Sequence, residues 1–410
     1  MKQLTMKRKN KDRFLNIITY LSSSLFILIL IAIFYFVFSK GGSLLSWDLL
    51  KDDYWSKNYL IDVQQVSTTD FVKPDDLSKD AVFSKKWGIG FVDHVSHEKS
   101  DMILVEYIDP NSPFLKATNA SAGPQKGKSF SIEVGMQAEK INFKRQDGTS
   151  GLAGNIVSQT ASQLVDTLDH DAQIITQSYI KTIGGGIRGS IITTFYLILL
   201  SLAIALPIGV CAAIYLNEYA SKSKLNKWLR SGIETLTGVP SIIYGLMGVS
   251  VLFPITKALG ASTTNILLGS LTLSIILLPT IIRSTQEALL VIPNHLRDAS
   301  LAVGANKSQT IFKIVLPCAT PGILTGVLLS MGRVIGESAA LIYTMGTFIN
   351  DSPTILSQGT SLAVHIWSVM SGEQPNFELA CAISIILLIF VLCLNITVKL
   401  VSKRFTKTWY

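Results

Sequence analysis

The sequence predicts an all-α polytopic membrane protein of six transmembrane helices, with one small α+β domain inserted outside the membrane. Three observations predict it. Of the 410 residues, 48% are apolar and only 16% are charged, against roughly 25% charged in an ordinary soluble domain. The charges are unevenly placed, with 34 in the 148 positions of residues 39–186 and only 20 in the 216 positions of residues 187–402. The charge-poor stretches contain apolar runs of about 20 residues, the length a helix needs to cross a bilayer core of about 30 Å. A uniform soluble enzyme, a disordered chain and a nucleic-acid binder are thereby excluded. The net charge of +8 does not reverse this: Lys2, Lys7, Arg8, Lys9, Lys11 and Arg13 crowd the N-terminus, while the 39–186 segment is net negative, with 15 basic and 19 acidic residues.

After a basic N-terminus over residues 1–13, the first span runs from Phe14 to Ser39, uncharged throughout. It is too long for the apolar stretch of a signal peptide and shows no small-x-small cleavage pattern, so it reads as an anchor. Gly189 to Asn217 is the second, with Pro207 as a kink. The third, Val239 to Thr256, is short and interrupted by Pro240, Gly245 and Gly248. The fourth runs from Ala258 to Ile282, and the fifth from Ala319 to Met345 with Arg333 and Glu337 inside it. Leu379 to Val398 is the sixth, and residues 403–410 form a tail. The runs are long and continuous rather than alternating, so helices and not barrel strands must span.

Basic residues in the short flanks set the orientation. Lys222, Lys224, Lys227 and Arg230 follow span two; Arg297, Lys307 and Lys313 lie between spans four and five; Lys403, Arg404 and Lys407 follow span six. Residues 346–378 contain no Lys or Arg. All the basic loops fall on one side, which makes both termini cytoplasmic and residues 40–183 extracytoplasmic.

Cys211, Cys318, Cys381 and Cys393 all lie outside the 39–186 segment. They read as small apolar fillers, and no disulfide scaffold or C-x-x-C metal site exists in that segment. Three motif matches fail on context. Residues 122–129 satisfy a relaxed Walker A pattern, but polar, loop-like sequence precedes them and a strand, not a helix, is expected over residues 129–134. Gly184-Gly185-Gly186-Ile187-Arg188-Gly189 satisfies G-x-G-x-x-G, but an uncharged run of membrane length follows it and no acidic residue lies about twenty positions on. His97-Glu98 lacks the second histidine of a zincin, since position 101 is Asp101. No cofactor is expected.

The loop after span four, over residues 287–317, has a distinct pattern: Leu296 to Ala302, a Val303-Gly304 step, nine further residues, then Ile314-Val315-Leu316-Pro317. It reads as a short amphipathic helix, a glycine turn, a second helix, and a proline that starts the next span. A peripheral protein could grip such a helical pair. The spacing resembles the "EAA" loop of bacterial ABC importer permeases, with Asp298 in place of the glutamate, Ser300 in place of the second alanine, and Ala299, Gly304, Ile314, Leu316 and Pro317 matching. Pro207 to Gly209, Ala213 to Ala220, Val239 to Gly245, Ile281 to Ala288 and above all Gly332 to Leu341 are similar to the phosphate-specific permeases, more to the PstA type than to its PstC partner.

That resemblance implies one half of a permease. A second permease subunit of PstC type, an ABC ATPase dimer bound through the 287–317 loop, and an extracytoplasmic phosphate-binding protein would be its partners, and phosphate its cargo. The chain itself would hydrolyse nothing.

Charges inside spans cost roughly 2.5–3.5 kcal/mol or more, so Arg283, Arg333 and Glu337 should face a polar interior and act on the pathway. Arg333 and Glu337 are four apart and are expected on one helix face. They could pair with each other, although arginine N-terminal to glutamate is the weaker orientation. Alternatively Arg333 could reach across to the other permease half or to the ion, for which a guanidinium fork suits an oxyanion. Arg283 is expected at the cytoplasmic end of span four, guarding the exit or pairing with the partner.

In the insert, Trp87-Gly88-Ile89-Gly90-Phe91 opens a strand, Met102 to Ile108 is a second, and Asp109 to Pro113 is a turn. Val134 to Asn142 leads into a third. Ile156, Thr160, Leu164, Val165 and Leu168 fall at helical spacing, and Ala172 to Ile180 closes a sheet. This succession, around residues 84–181, resembles a PDZ domain, in which Gly88, Ile89, Gly90 and Phe91 would form the loop that holds a peptide carboxylate. Met136 stands where the PDZ pattern has aspartate, Phe143 where it has glycine, and residues 117–131 are extra.

Two other readings have specific content. Sulfate, molybdate or phosphonate import is disfavoured by the Arg333–Glu337 segment. A membrane protease or sensor carrying a PDZ-like domain would need H-E-x-x-H within a span, or a cytoplasmic signalling domain, and the sequence has neither.

Overall fold

The computed structural model describes residues 2–407, except 67–69, 75–76, 96–99, 122–125, 222 and 372–374. His97, Glu98 and residues 122–125 of the Walker-like match therefore lie outside the described residues. The chain divides into two compact units, Ser46–Arg188 and Met1–Leu45 with Gly189–Tyr410. Helix α1 (Lys2–Gly41) opens the larger unit. It starts well before Phe14, because nothing in the basic segment breaks a helix.

The smaller unit is an antiparallel sheet with a helix packed against it. It begins with α2 (Trp47–Lys51), capped by the Ser46 hydroxyl, which accepts from the Leu49 amide at 3.1 Å. The strands are β1 (Asn58–Val66), β2 (Val82–Ser84), β3 (Ile89–Val95), β4 (Asp101–Ile108), β5 (Thr118–Asn119), β6 (Gln137–Lys144), β7 (Ser150–Ala153) and, after α3 (Ala161–His170), β8 (Ile174–Lys181). They run in the order β2-β3-β4-β6-β8-β1-β5, with β7 on β6. Trp87, Phe91, Phe114, Phe143, Ile141, Leu164, Leu168 and Ile175 fill the core. Along β8, Ile175, Ser178 and Ile180 are buried and their neighbours are not, a break in strict alternation where the register to β6 shifts.

Two expectations change here. The helix begins at Ala161, not Ile156: Ile156 sits in a 3-10 turn and is 53% exposed. Thr160 closes a capping box with Gln163, which fixes the start, and Asp93 accepts from the Ala161 amide at 2.7 Å. Residues 129–134 form no strand, only a bridge from Ser129 to Thr118. The glycines 184–186 are explained by packing, since a Cβ at Gly186 would lie 2.0 Å from the Asp52 carbonyl oxygen.

In the larger unit the helices are α4 (Arg188–Ile214), α5 (Lys224–Thr237), α6 (Ser241–Met247), α7 (Phe253–Ala258), α8 (Ile266–Val291), α9 (Asn294–Ala302), α10 (Lys307–Thr310), α11 (Leu316–Gly336), α12 (Ala339–Met345), α13 (Leu362–Met370) and α14 (Phe377–Lys407). Among the described residues, six helical runs are long and apolar enough to cross a membrane: Lys11–Leu44, Arg188–Tyr219, Ser241–Ala258, Ile266–Val291, Lys307–Gly336 and Phe377–Lys403. The α8 run is the most enclosed and forms the centre of the unit.

The third run is continuous rather than broken. Pro240 precedes it as a cap, and Gly245 and Gly248 serve close approach. A Cβ at Gly245 would lie 2.9 Å from Ala340 Cα, so only a glycine lets α6 touch the α12 backbone. The fourth run starts at Ile266 rather than Ala258, because Gly260 adopts φ +99° and Asn265 caps the helix through the Leu268 amide at 2.9 Å. Pro317 stands in the first turn of α11, as expected, but the helical run does not begin there. A wide π turn at Ile311–Val315 joins α10 to α11, and another at Gly248–Leu252 precedes Pro254. Each proline sits two residues past a π turn, where the wider turn relieves the clash and missing N–H that would otherwise break the helix.

Candidate functional site

The loop between spans four and five is built from backbone constraints first. Pro293 caps α9, which ends at Val303, and Gly304 then adopts φ +89°. Nothing lies within 4 Å of a Cβ built there, so the requirement for glycine is conformational rather than spatial. Asn306 closes a capping box with Gln309 and starts α10. The Ser300 and Thr310 hydroxyls meet at 2.9 Å and tie the two helices together.

A second set of contacts fastens this loop to the end of span two. Arg297 donates from one terminal nitrogen to Glu218 Oε1 at 2.8 Å and to the Leu289 carbonyl at 3.0 Å, and from the other to the Ile292 carbonyl at 2.7 Å. Both side chains are largely buried, 17% and 10% exposed. Lys307 bonds the Glu218 carbonyl, and its ammonium stands 4.8 Å from the Tyr219 ring centroid. Ile311 and Val315 pack with Ile214, Leu289 and Ala319. The opposite face is left open: Asp298 and Ala299 are exposed, as are Leu301, Val303 and Phe312. Ile314, Leu316 and Pro317 are half-buried along the join to α11.

The charges within the spans are not arranged as the spacing implies. Helix α11 stops at Gly336 and Glu337 is extended, with φ −76° and ψ 128°. Arg333 and Glu337 therefore do not share a helix face. Instead Glu337, buried to 9% exposure, accepts from the Ala340 amide at 3.3 Å and caps α12. The break has a physical reason, since Gly336 ends the helix cheaply and the carboxylate supplies an acceptor for the amides opened beyond it. Among the described residues no ion pair or hydrogen bond engages the Arg333 side chain, which is half-buried.

Arg283 lies two turns before the end of α8 rather than at it. It pairs with Glu287 at 3.2 Å, both exposed, and lines a cavity of about 200 Å³ with Leu216, Arg230, Glu234 and Pro279. At the far end of the unit, His365 of α13 is fully buried, and its Nδ1 lies 2.9 Å from the Ser190 hydroxyl at the start of α4. Burial pulls its pKa down to about 4.

In the smaller unit the loop expected to hold a carboxylate is closed by the chain itself. Gly88, at φ +65°, donates to the Ser84 carbonyl at 2.9 Å, and Trp87 donates to the Ser84 hydroxyl at 3.1 Å. Ile89, Gly90 and Phe91 pair with Ser84, Phe83 and Val82 of β2. The Trp87 indole reaches the Leu168 carbonyl at 3.0 Å, joining this hairpin to α3. Neither β2 nor the Glu218–Arg297 pair was apparent in the sequence. The only signal for the pair was one acid and one base in two stretches already singled out, with no periodicity to link them.

Residues 205–407 match the family described as binding-protein-dependent transport system inner membrane component. A probable ABC transporter permease protein of Bacillus subtilis (strain 168), YqgI, is 35% identical over 241 residues, which is 55% of this chain and 81% of the relative. The chain belongs to this inner-membrane permease family. The permease is also similar to the phosphate transport system permease protein PstA of Haemophilus influenzae, 33% identical over 217 residues, covering 53% of this chain and 75% of that one. PstA 2 of Mycobacterium bovis is likewise 33% identical over 235 residues, covering 55% and 74%. The family match lies wholly within the membrane unit of the permease. It is a PstA-type permease.

Proposed function

We propose that this chain is one half of the translocation pathway of an ATP-driven phosphate importer. The observation that carries it is the 287–317 loop, whose two helices are locked to each other and to span two while a face containing Asp298, Ala299, Leu301 and Val303 stays open. A rigid element with an unpartnered apolar rim suits a protein that pushes on it. An ABC ATPase dimer is that protein, and a PstC-type chain completes the permease. Phosphate is the cargo, as in the named PstA relatives, and a phosphate-binding protein delivers it outside. Both termini and the 287–317 loop face the cytoplasm.

Arg333 attracts the ion within the pathway, and Glu337 holds the helix break that lets α12 turn away beside it. Alternating access follows if force on α9 moves α8 and α11, to which the loop is joined without a flexible linker. The chain is not a nucleotide hydrolase in this reading. The insert, with its strand, hairpin, short turn, helix and closing strand, is a PDZ-like module, and β2 already occupies the edge of Ile89, Gly90 and Phe91 that a peptide would join.

The test is purification of the tagged full-length chain from its native membrane under mild detergent. An ABC ATPase and a second permease chain should co-purify in stable proportion. Recovery of the chain alone, or with an unrelated enzyme, overturns the assignment.

A further inference from the structure

Helix α5 was not expected as an element, and nothing proposed above uses it. It is 14 residues long, capped by the Ser223 hydroxyl, which accepts from the Asn226 amide at 3.3 Å. Stepping about 100° per residue divides it into three sectors. One faces the protein: Asn226 is buried, Ile233 packs with Ala213, Leu216 and Ile282, and Arg230 donates to the Leu216 carbonyl. A second sector carries Leu225, Trp228, Leu229, Gly232 and Leu236. Its large side chains are 69%, 82%, 46% and 41% exposed, the tryptophan most of all. The third, bordering the apolar sector on its other side, carries Lys224, Lys227, Ser231 and Glu234. The first turn holds no acid, and among the described residues neither lysine is in an ion pair.

A helix divided into protein, apolar and basic sectors matches the membrane–water boundary. The apolar sector has acyl chains to enter and the lysines have headgroups to meet. Tryptophan at such a border is favoured because its ring is apolar and its N–H polar. We propose that α5 is an interfacial helix that seats the Leu225–Trp228–Leu229–Leu236 stripe in the cytoplasmic leaflet and binds anionic lipid headgroups through Lys224 and Lys227. Charge complementarity selects that occupant, since the cytoplasmic leaflet carries anionic lipid and a basic border has no use for a neutral surface. The inference rests on the orientation proposed above, with α5 on the cytoplasmic side. Through the Leu216 carbonyl it also reaches the turn that carries Glu218, and so the clamp on the coupling loop.

The test uses the full-length chain with its four cysteines replaced and Gly232→Cys carrying an environment-sensitive fluorophore. Gly232 lies in the middle of the stripe, and a Cβ there meets nothing within 4 Å. The chain is placed in bilayers of phosphatidylcholine alone or mixed equally with phosphatidylglycerol, each with or without brominated acyl chains. The expected result is blue-shifted emission quenched by bromine, with anionic lipid preferred around the helix. Lys224→Glu with Lys227→Glu should reduce that preference on the order of tenfold. A probe that stays water-like in every bilayer overturns the proposal. So does a probe shielded only after the second permease chain is added, which would make a protein the occupant, or an unchanged preference in the double variant. Separately, Ser231→Cys in right-side-out vesicles should resist a membrane-impermeant thiol reagent. Labelling there overturns the orientation, while the quenching result still reports on the lipid contact.

Discussion

Arg297 and Glu218, 79 positions apart, meet at 2.8 Å and fasten the loop helix α9 to the end of span two. The arginine also satisfies the carbonyls of Leu289 and Ile292 where α8 ends. One guanidinium thus joins the last turn of span four, the loop helix and the π turn Tyr215–Tyr219 that ends span two.

Glu218→Gln and Arg297→Gln should each weaken this joint. A charge-assisted hydrogen bond of this kind is worth about 1.5–3 kcal/mol, and its partner is left in a mostly buried setting. Uptake should fall severalfold while membrane level and basal ATP hydrolysis of the assembled complex stay near normal. Hydrogen exchange over residues 294–302 should rise in both variants. Unchanged exchange would show that the pair does not hold the loop.

Replacement of Gly304 tests the turn itself. A β-branched residue at φ +89° costs about 1–2 kcal/mol of backbone strain, although space is available. Gly304→Val should uncouple uptake from ATP hydrolysis without loss of the protein from the membrane. Gly304→Asn, which tolerates a left-handed backbone better, should retain more transport. Equal behaviour of the two variants in an uptake assay would remove the conformational argument.

At the break in span five the two charges should now separate in their effects. Glu337→Gln keeps an acceptor for the Ala340 amide and should leave thermal stability little changed, whereas Glu337→Ala loses the cap, worth about 0.5–2 kcal/mol. Arg333→Gln should leave stability intact and abolish phosphate uptake. Loss of stability with Arg333→Gln, with transport per folded complex preserved, would make the arginine structural.

His365 supplies the pH dependence. Its folded pKa of about 4 lies below the ordinary histidine value of 6.5, so the unfolded chain binds more protons between those values. Stability should be flat above about pH 6.5, decline as pH falls towards 4, and flatten below, as far as this group is concerned. His365→Gln should lessen that decline in melts of the detergent-solubilised protein. A decline of the same size in the variant would place the acid sensitivity elsewhere.

The spans were legible because an uncharged run of membrane length has few alternatives. Their limits were not. Asn265 and Gly260 moved the start of span four by eight positions, from Ala258 to Ile266, since capping and a left-handed turn outweigh hydropathy there. At Pro317 the continuity of the helix was not legible, because the π turn that absorbs the proline leaves no mark in residue periodicity. Gly304 could be read correctly, as the residue type and its conformation correspond. The Arg333–Glu337 spacing could not, because four residues mean one face only if the helix continues, and Gly336 ends it. Contacts such as Glu218 with Arg297, or β2 with β3, depend on which elements meet in space, and one sequence does not contain that.

The central claim is ATP-driven import of phosphate through a pathway to which this chain contributes half. Its most direct test is uptake of radiolabelled phosphate into proteoliposomes containing the purified complex, the binding protein outside and ATP within. Uptake should require ATP, be competed by unlabelled phosphate, resist excess sulfate and molybdate, and disappear with Arg333→Gln. Uptake that proceeds without ATP, or that sulfate or molybdate suppresses as well as phosphate does, would contradict the claim.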